Sequence, residues 1–353
     1  MKSLIKNLFI LLIIPATILA TPPAMAGDKF KVAWSIYVGW MPWDYGDSSG
    51  ILKKWADKYG IEIELVQIND YVESINQYTA GGFDAAVMTN MDALTIPAAS
   101  GVDSTALIVG DFSNGNDAVI LKGKKELKDI KGQNINLVEL SVSHYLLARA
   151  LESIGLVEKD VKVVNTSDAD MVAVYTTPSV TAVTTWNPLV SEILAMPKSY
   201  KVFDSSKIPG EIIDLLVVNT KTLKKSPKLA KALVGAWYEI MANMQGNGAK
   251  AIEARTSMGV ASGTDLKGYD AQLASTKMFY KAADAVAFTN SAALKDTMAK
   301  VASFSFDHGL LGDGAPNAGF IGIESPAGVF GDKKNIKLRF DPTYMQMAAD
   351  GKL

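Results

Sequence analysis

Short apolar runs alternate with segments of helical spacing through the first two thirds of this 353-residue chain. That alternation restricts the fold more than any other feature, because a strand–helix–strand order is satisfied by α/β layers with mostly parallel sheets. Strands are expected at 30–33, 61–66, 84–88, 104–109, 118–121, 134–138, 161–164, 180–184, 212–218 and 336–340. Helices are expected over 48–60, 70–79, 141–151, 168–174, 227–244 and 249–258, and beyond 221 the pattern is mainly helical. Asp70 with Glu73 reads as a capping box, and Gly81-Gly82 ends the helix it opens.

The first 26 residues read as an export signal. Lys2 and Lys6 form its basic end, 8–19 its apolar run, and Ala24-Met25-Ala26 its small-residue cleavage pattern. Cleavage takes away two lysines, so the formal charge moves from −2 to −4, and no basic stripe for nucleic acid remains. The chain has no cysteine, which excludes disulfides, thiolate metal sites, cysteine nucleophiles and a lipid tether at the cleavage point. An untethered exported protein points to the periplasm. The roughly 327 residues after position 26 exceed one ordinary domain, so two lobes are expected. Lobe 1 is assigned 27–116 and 215–353, and lobe 2 is assigned 117–214, with crossings near 114–118 and 212–218.

Between the first strand and the first helix lies W-S-I-Y-V-G-W-M-P-W-D-Y-G, with three tryptophans and two tyrosines in 13 residues. A strand-to-helix loop of an open α/β sheet is where ligands bind. Rings beside Asp44 and Asp47 suit a small flat or cationic solute. Trp34 and Tyr37 are expected in the core; Trp40, Trp43, Asp44 and Tyr45 are expected at the site. Asp111 follows a buried strand at the same topological level. Glu139 ends an apolar strand, where it is either salt-bridged, to Arg149 or a lysine, or a counter-charge for a cation. Ser141 and Ser143 open a helix, as caps, as ligand contacts or as both. His144 and Trp186 complete the candidate set. Asp70, Asp92, Asp168 and Asp214 are read mainly as helix caps, and His308 as structural.

Several motifs together carry a resemblance. They are W-x-P-W at 40–43, G-x-D-A-x-x-x-x-N-M-D-A at 82–93, L-K-D-I-K-G-Q at 127–133, S-x-S-H-Y-L-L-x-R-A-L at 141–151, T-W-N-P at 185–188 and D-S-S-x-I-P-G at 204–210. The set resembles the nitrate/taurine-type solute-binding proteins of ABC importers and is most similar to the members associated with urea carboxylase. The resemblance implies a type II-like periplasmic binding protein, two α/β lobes closing like a clamshell on urea or guanidine. It also implies an inner-membrane permease as partner, no cofactor and no enzymatic activity; a monomer is expected. A sulfonate, nitrate or thiamine-precursor pyrimidine is the alternative solute. Glu139-Leu140 stands where binders of anions offer small residues, and the three arginines, Arg149, Arg255 and Arg339, avoid the strand-end loops. Both features favour a cation. Enzymes of this fold that make a thiamine pyrimidine use a cysteine-rich motif, which this chain lacks, and no hydrolase motif appears. N-terminal sequencing of the exported protein is expected to begin at Gly27; a membrane-bound product retaining Met1 would overturn the cleavage.

Overall fold

The computed structural model describes residues 28–353; the export signal expected over 1–26 lies outside them. β1 (Asp28–Trp34), β2 (Ile61–Gln67), β3 (Ala85–Thr89) and β4 (Ser104–Ser113) come before the first crossing between lobes. β5 (Ala118–Lys122), β6 (Asn134–Leu137), β7 (Lys162–Asn165), β8 (Ala182–Thr185) and β9 (Ser199–Asp204) follow it. β10 (Ile213–Asn219), β11 (Thr276–Met278), β12 (Gly322–Ser325), β13 (Gly328–Phe330) and β14 (Ile336–Phe340) come after the return. One sheet has the order β13-β12-β14-β4-β10-β3-β1-β2 with β11 against β4, and the other β7-β6-β8-β5-β9. The chain passes from one sheet to the other at 114–117 and back at 205–212.

Those two passages decide strand direction. β10 arrives from the opposite lobe and so runs antiparallel to both β3 and β4. β5 is likewise antiparallel to β8 and β9. Pairs joined through helices, β1 with β2 and β3, and β6 with β7 and β8, are parallel. β3, β4 and β10 are buried along nearly their whole length, as apolar runs with neighbours on both edges and layers on both faces must be. β9 and the short strands β11, β12 and β13 were not expected. Three of them are only three or four residues long, too short for a period-2 pattern to register.

The aromatic stretch is only partly a loop. α1 (Met41–Ser48) begins inside it, because Pro42 stands in the first turn with its φ already helical and no N–H to lose. Trp43, Asp44 and Tyr45 are therefore helical residues. Gly50 adopts φ 75°, which ends that helix and separates it from α2 (Ile51–Tyr59), so the expected helix 48–60 is two helices. α3 (Tyr71–Thr79) is capped by Asp70, which accepts the Glu73 N–H. α4 (Asn90–Ala93) is capped by Thr89 and passes into a π-helical turn, Leu94–Ala98, that contains Pro97. α5 (Val142–Glu152) is capped by Ser141, which accepts the Ser143 N–H. No helix among the described residues is long and apolar enough to cross a membrane.

The helix Pro227–Met244 covers the sheet on the side of α1 and α2. Trp237 lies 5.1 Å from Trp43, and Trp55 of α2 rests directly on Gly235. A Cβ added at Gly235 would sit 2.3 Å from the Trp55 ring, and that ring is anchored by its Nε1–H donating to Glu239 at 2.7 Å. Gly235→Ala gains about 1 kcal/mol of helix propensity but forces an overpacking loss of about 1–3 kcal/mol. Because the ring is anchored, the loss should win and lower Tm by a few degrees; an unchanged thermal melt would show that Trp55 swings aside freely.

Candidate functional site

Three neighbouring strands place three polar residues in one row. Asp214 of β10 pairs with Thr89 of β3 on one side and with Asp111 of β4 on the other. The row lies at the level where β3 ends and α4 begins, beside the exit of β4 toward the other lobe. The loop after β1 crosses above it and carries Tyr37 and Trp40. Gly39 makes this crossing possible: a Cβ there would lie 2.5 Å from Asp111 Oδ2 and 2.6 Å from the Tyr37 ring. α3 contributes Tyr71 from its first residue. The second lobe adds Asp117, Val142 at the start of α5, and Trp186 just past β8, while Ile212 comes from the return passage.

These side chains enclose a cavity of about 10 Å³ lined by Tyr37, Trp40, Tyr71, Thr89, Asp117, Val142, Trp186, Ile212 and Asp214. By that measure it is about the size that admits one water, so the lobes are closed on each other. Four rings form its wall. Tyr37 and Trp40 have centroids 4.9 Å apart, Trp40 and Tyr71 5.6 Å, and Tyr71 and Trp186 5.6 Å. Contacts between lobes fix this closure: the Tyr71 N–H donates to Asp168 at 3.2 Å, and Ser167 Oγ donates to Asp70 at 2.9 Å.

Around the cavity the carboxylates Asp92, Asp111, Asp117 and Asp214 are each at most 2% exposed. Tyr71 and Thr89 hydroxyls donate to Asp92 at 2.6 and 2.8 Å, Tyr37 to Asp111 at 3.3 Å, and Ser113 to Asp117 at 2.5 Å. Asp92 Oδ1, Asp111 Oδ2, Asp214 Oδ2 and Trp40 Nε1 find no partner. Among the described residues no lysine, arginine or histidine makes an ion pair with any of the four. Arg149 is held by Glu211 and Glu152, Arg255 by Asp270, and Arg339 by Asp103 and Glu324. Burial pushes Asp92 up to about 6 and Asp117 up to about 7. Asp111 and Asp214 are also raised, by burial first and, for Asp214, then by the charge of Asp111.

Of the residues singled out in the sequence, Trp40 and Trp186 line the cavity and Asp111 stands in its polar row. Trp43 does not line it; it is 1% exposed and packs on Trp237 beneath the sheet end. Asp44 and Tyr45 point away on α1, where burial and then Asp47 raise Asp44. Glu139 is exposed, outside the cavity, and its backbone N–H donates to Asn165. It makes neither the salt bridge nor the cavity contact expected of it, because the chain turns outward at Leu140, φ 63°. Ser141 is a cap, and Ser143 Oγ is buried without a partner at the same helix start. His144 lies at the back of α5, 3.4 Å from Glu158, which His308 also contacts at 2.6 Å. The Leu140 N–H donates to His144 Nδ1 at 3.1 Å, and the other ring nitrogen faces Glu158, so that His144, Glu158 and His308 cluster away from the cavity. Tyr37, expected only in the core, lines the cavity.

Tyr71, Thr89, Asp117, Val142 and Ile212 line the cavity without any local signal in the sequence, and Asp92 and Asp214, expected as caps, are buried at or beside it. One signal was available: Asp214 interrupts the apolar run I-I-D-L-L-V-V, where a carboxylate is expensive without a partner.

A family model described as NMT1/THI5 like matches residues 46–251. The taurine-binding periplasmic protein of Escherichia coli K12 is 26% identical over 130 residues, 36% of this chain and 40% of that protein, so the match spans less than half the relative's length. The alkanesulfonate-binding protein SsuA of Xanthomonas axonopodis pv. citri, solved bound to MOPS, superposes with TM-score 0.66 at 14% identity, covering 82% of this chain and 96% of that one. The nitrate-binding protein NrtA of Synechocystis PCC 6803 gives TM-score 0.58 at 13% identity, covering 93% and 99%. At such identities the likeness establishes the fold, that of the two-lobed periplasmic binding proteins.

The raised carboxylates set a sign for stability against pH. A folded-state pKa above the unfolded value near 3.9 means that the folded protein binds more protons, so stability falls as pH rises through that window. Between pH 5 and 8 the Tm of the empty protein should fall, and Asp214→Asn should raise it at pH 8. A melting profile flat or rising over this range, in wild type and variant alike, would contradict the buried-carboxylate account.

Proposed function

The chain belongs to the NMT1/THI5-like family, and from that membership we propose that it is the solute-binding component of an ABC importer. Exported to the periplasm, it closes its two lobes around a small planar cation, with guanidinium preferred over urea, and delivers it to an inner-membrane permease. The observation that carries this reading is an aromatic-walled cavity lined by Asp117 and Asp214, with Asp92 and Asp111 buried nearby and, among the described residues, no basic side chain paired to any of the four.

Guanidinium suits such a site in three ways. Its charge compensates carboxylates that the protein itself leaves uncompensated. Its flat face stacks on tryptophan and tyrosine rings, where cations are attracted. Its N–H groups donate in pairs to carboxylate oxygens, and Asp111 Oδ2, Asp214 Oδ2 and Asp92 Oδ1 lack donors. Urea has the shape and donors but not the charge. The cavity as it stands admits about one water, so even a solute of four heavy atoms enters only with some opening of the lobes. Turnover is not part of this reading, since the lining consists of rings, aspartates, a threonine and aliphatic side chains.

An anionic solute is the second reading, favoured by the start of α5 at the cavity and the unpartnered Ser143 Oγ. Against it, the Asp92 carboxylate already stands near the Val142 N–H at that helix start. An added anion would also meet four carboxylates.

The test is a thermal-shift and calorimetry panel of guanidinium, urea, taurine and nitrate at low millimolar concentration. At 100 times its dissociation constant guanidinium should stabilise the fold by about 2.7 kcal/mol, a Tm rise on the order of 5 °C. Asp111→Asn should weaken it at least about tenfold through loss of a charged hydrogen-bond acceptor, while Glu139→Gln, at an exposed position, should leave it unchanged. A Tm rise with taurine or nitrate and none with guanidinium would sink the cation reading.

A further inference from the structure

We propose that the solute cation enters this site in exchange for a proton shared by Asp111 and Asp214, one proton leaving to solvent for each cation bound. This rests on the cation reading above and adds a regulation to it.

The geometry begins with register. Asp111 and Asp214 are directly paired across β4 and β10, and directly opposed residues of antiparallel strands carry their side chains on the same face, with Cβ atoms about 4.5–5.5 Å apart. Both are at most 2% exposed, and the Oδ2 atom of each lacks a partner. The Tyr37 hydroxyl donates to Asp111 Oδ1 at 3.3 Å, Asp111 Oδ2 lies against Gly39, and Asp214 lines the cavity. Two carboxylates held this closely away from water keep one proton between them.

The surroundings offer no substitute for that proton. Asp117 and Tyr37 bear on both members of the pair, Tyr269 and Tyr280 are near enough to feel the charge of Asp111, and Asp92 accepts from Thr89. All are neutral or negative at neutral pH. Arg255, beyond Tyr269, is committed to Asp270 at 2.6 Å and to the Met244 and Gly246 carbonyls. A cation arriving at the cavity face of Asp214 repels the shared proton at a few ångströms' distance and needs the oxygens that the proton occupies. At an effective dielectric of about 20, that repulsion is large enough to return the second carboxyl toward the ordinary carboxylate range. The exchange balances: protonated protein plus solute cation gives the complex plus one proton, and the charge of the pair with its occupant is unchanged.

The experiment is isothermal calorimetry of guanidinium chloride into the processed chain at pH 7, in phosphate and in Tris, whose ionisation enthalpies differ. The buffer dependence of the heat should report about one proton released per guanidinium, and the dissociation constant should tighten about tenfold per pH unit between 5.5 and 7. Asp214→Asn, an isosteric change checked for folding by its melt, should bind with release close to zero, whereas Glu139→Gln, at an exposed position outside the cavity, should keep it. Binding without buffer dependence would overturn the exchange while leaving the cation reading standing. Undiminished release from Asp214→Asn would overturn its assignment to this pair. Absence of guanidinium binding in both buffers would overturn the cation reading and the exchange with it.

Discussion

Burial of negative charge without a counter-ion is the constraint around which the rest of this molecule is arranged. Asp92, Asp111, Asp117 and Asp214 are removed from water by the closure of two lobes, and hydroxyls rather than ammonium or guanidinium groups meet them. A hydroxyl donates one hydrogen bond and no charge, so the desolvation of each carboxylate is only partly offset. Such a site is stable when it holds protons or a cation. Its aromatic wall follows from the same constraint, because rings exclude water and still present a negative face to a cation.

The sheet supplies the precision. β10 is inserted antiparallel between β3 and β4 because it returns from the other lobe, and this puts Thr89, Asp214 and Asp111 side by side. Neither a helix nor a free loop would hold two carboxylates in such fixed opposition. The passage at 114–117 is equally constrained, since Ser113 Oγ bonds both Asp117 and Ser205 Oγ, tying the outgoing and returning chains together. Binding chemistry and the crossing between lobes thus share residues, which links occupancy of the cavity to the relative position of the lobes.

Away from the cavity the closed arrangement is held by polar contacts of a different kind. Glu211, on the return passage, accepts from Tyr145 and Arg149 of one lobe and Lys300 of the other. Glu158 of the second lobe meets His308 from the end of the helix Ala292–Asp307. Glu211 is itself buried, whereas the partly exposed Glu158–His308 pair contributes little. The balance between open and closed lobes is therefore sensitive to what fills the cavity.

The local elements were readable from the chain alone because they depend on neighbours in sequence. The strands at 61–67 and 118–122, the Asp70 and Ser141 caps and the helix Pro227–Met244 follow from periodicity and capping within a few residues. Trp40, Asp111 and Trp186 were also within reach, since strand ends in an α/β sheet are where a cavity forms. Trp43 and Tyr45 stand off the cavity because Pro42 starts a helix that turns Trp43 onto Trp237 and Tyr45 to another face, and Glu139 lies exposed just before Leu140, whose φ is 63°. What only the tertiary structure decided is which carboxylates meet. Asp214 lies about a hundred residues from Asp111, and the two face each other only because the chain leaves one lobe and comes back between the strands it left. No pattern local to either residue encodes that pairing, and the charge it buries is what gives the cavity its chemistry.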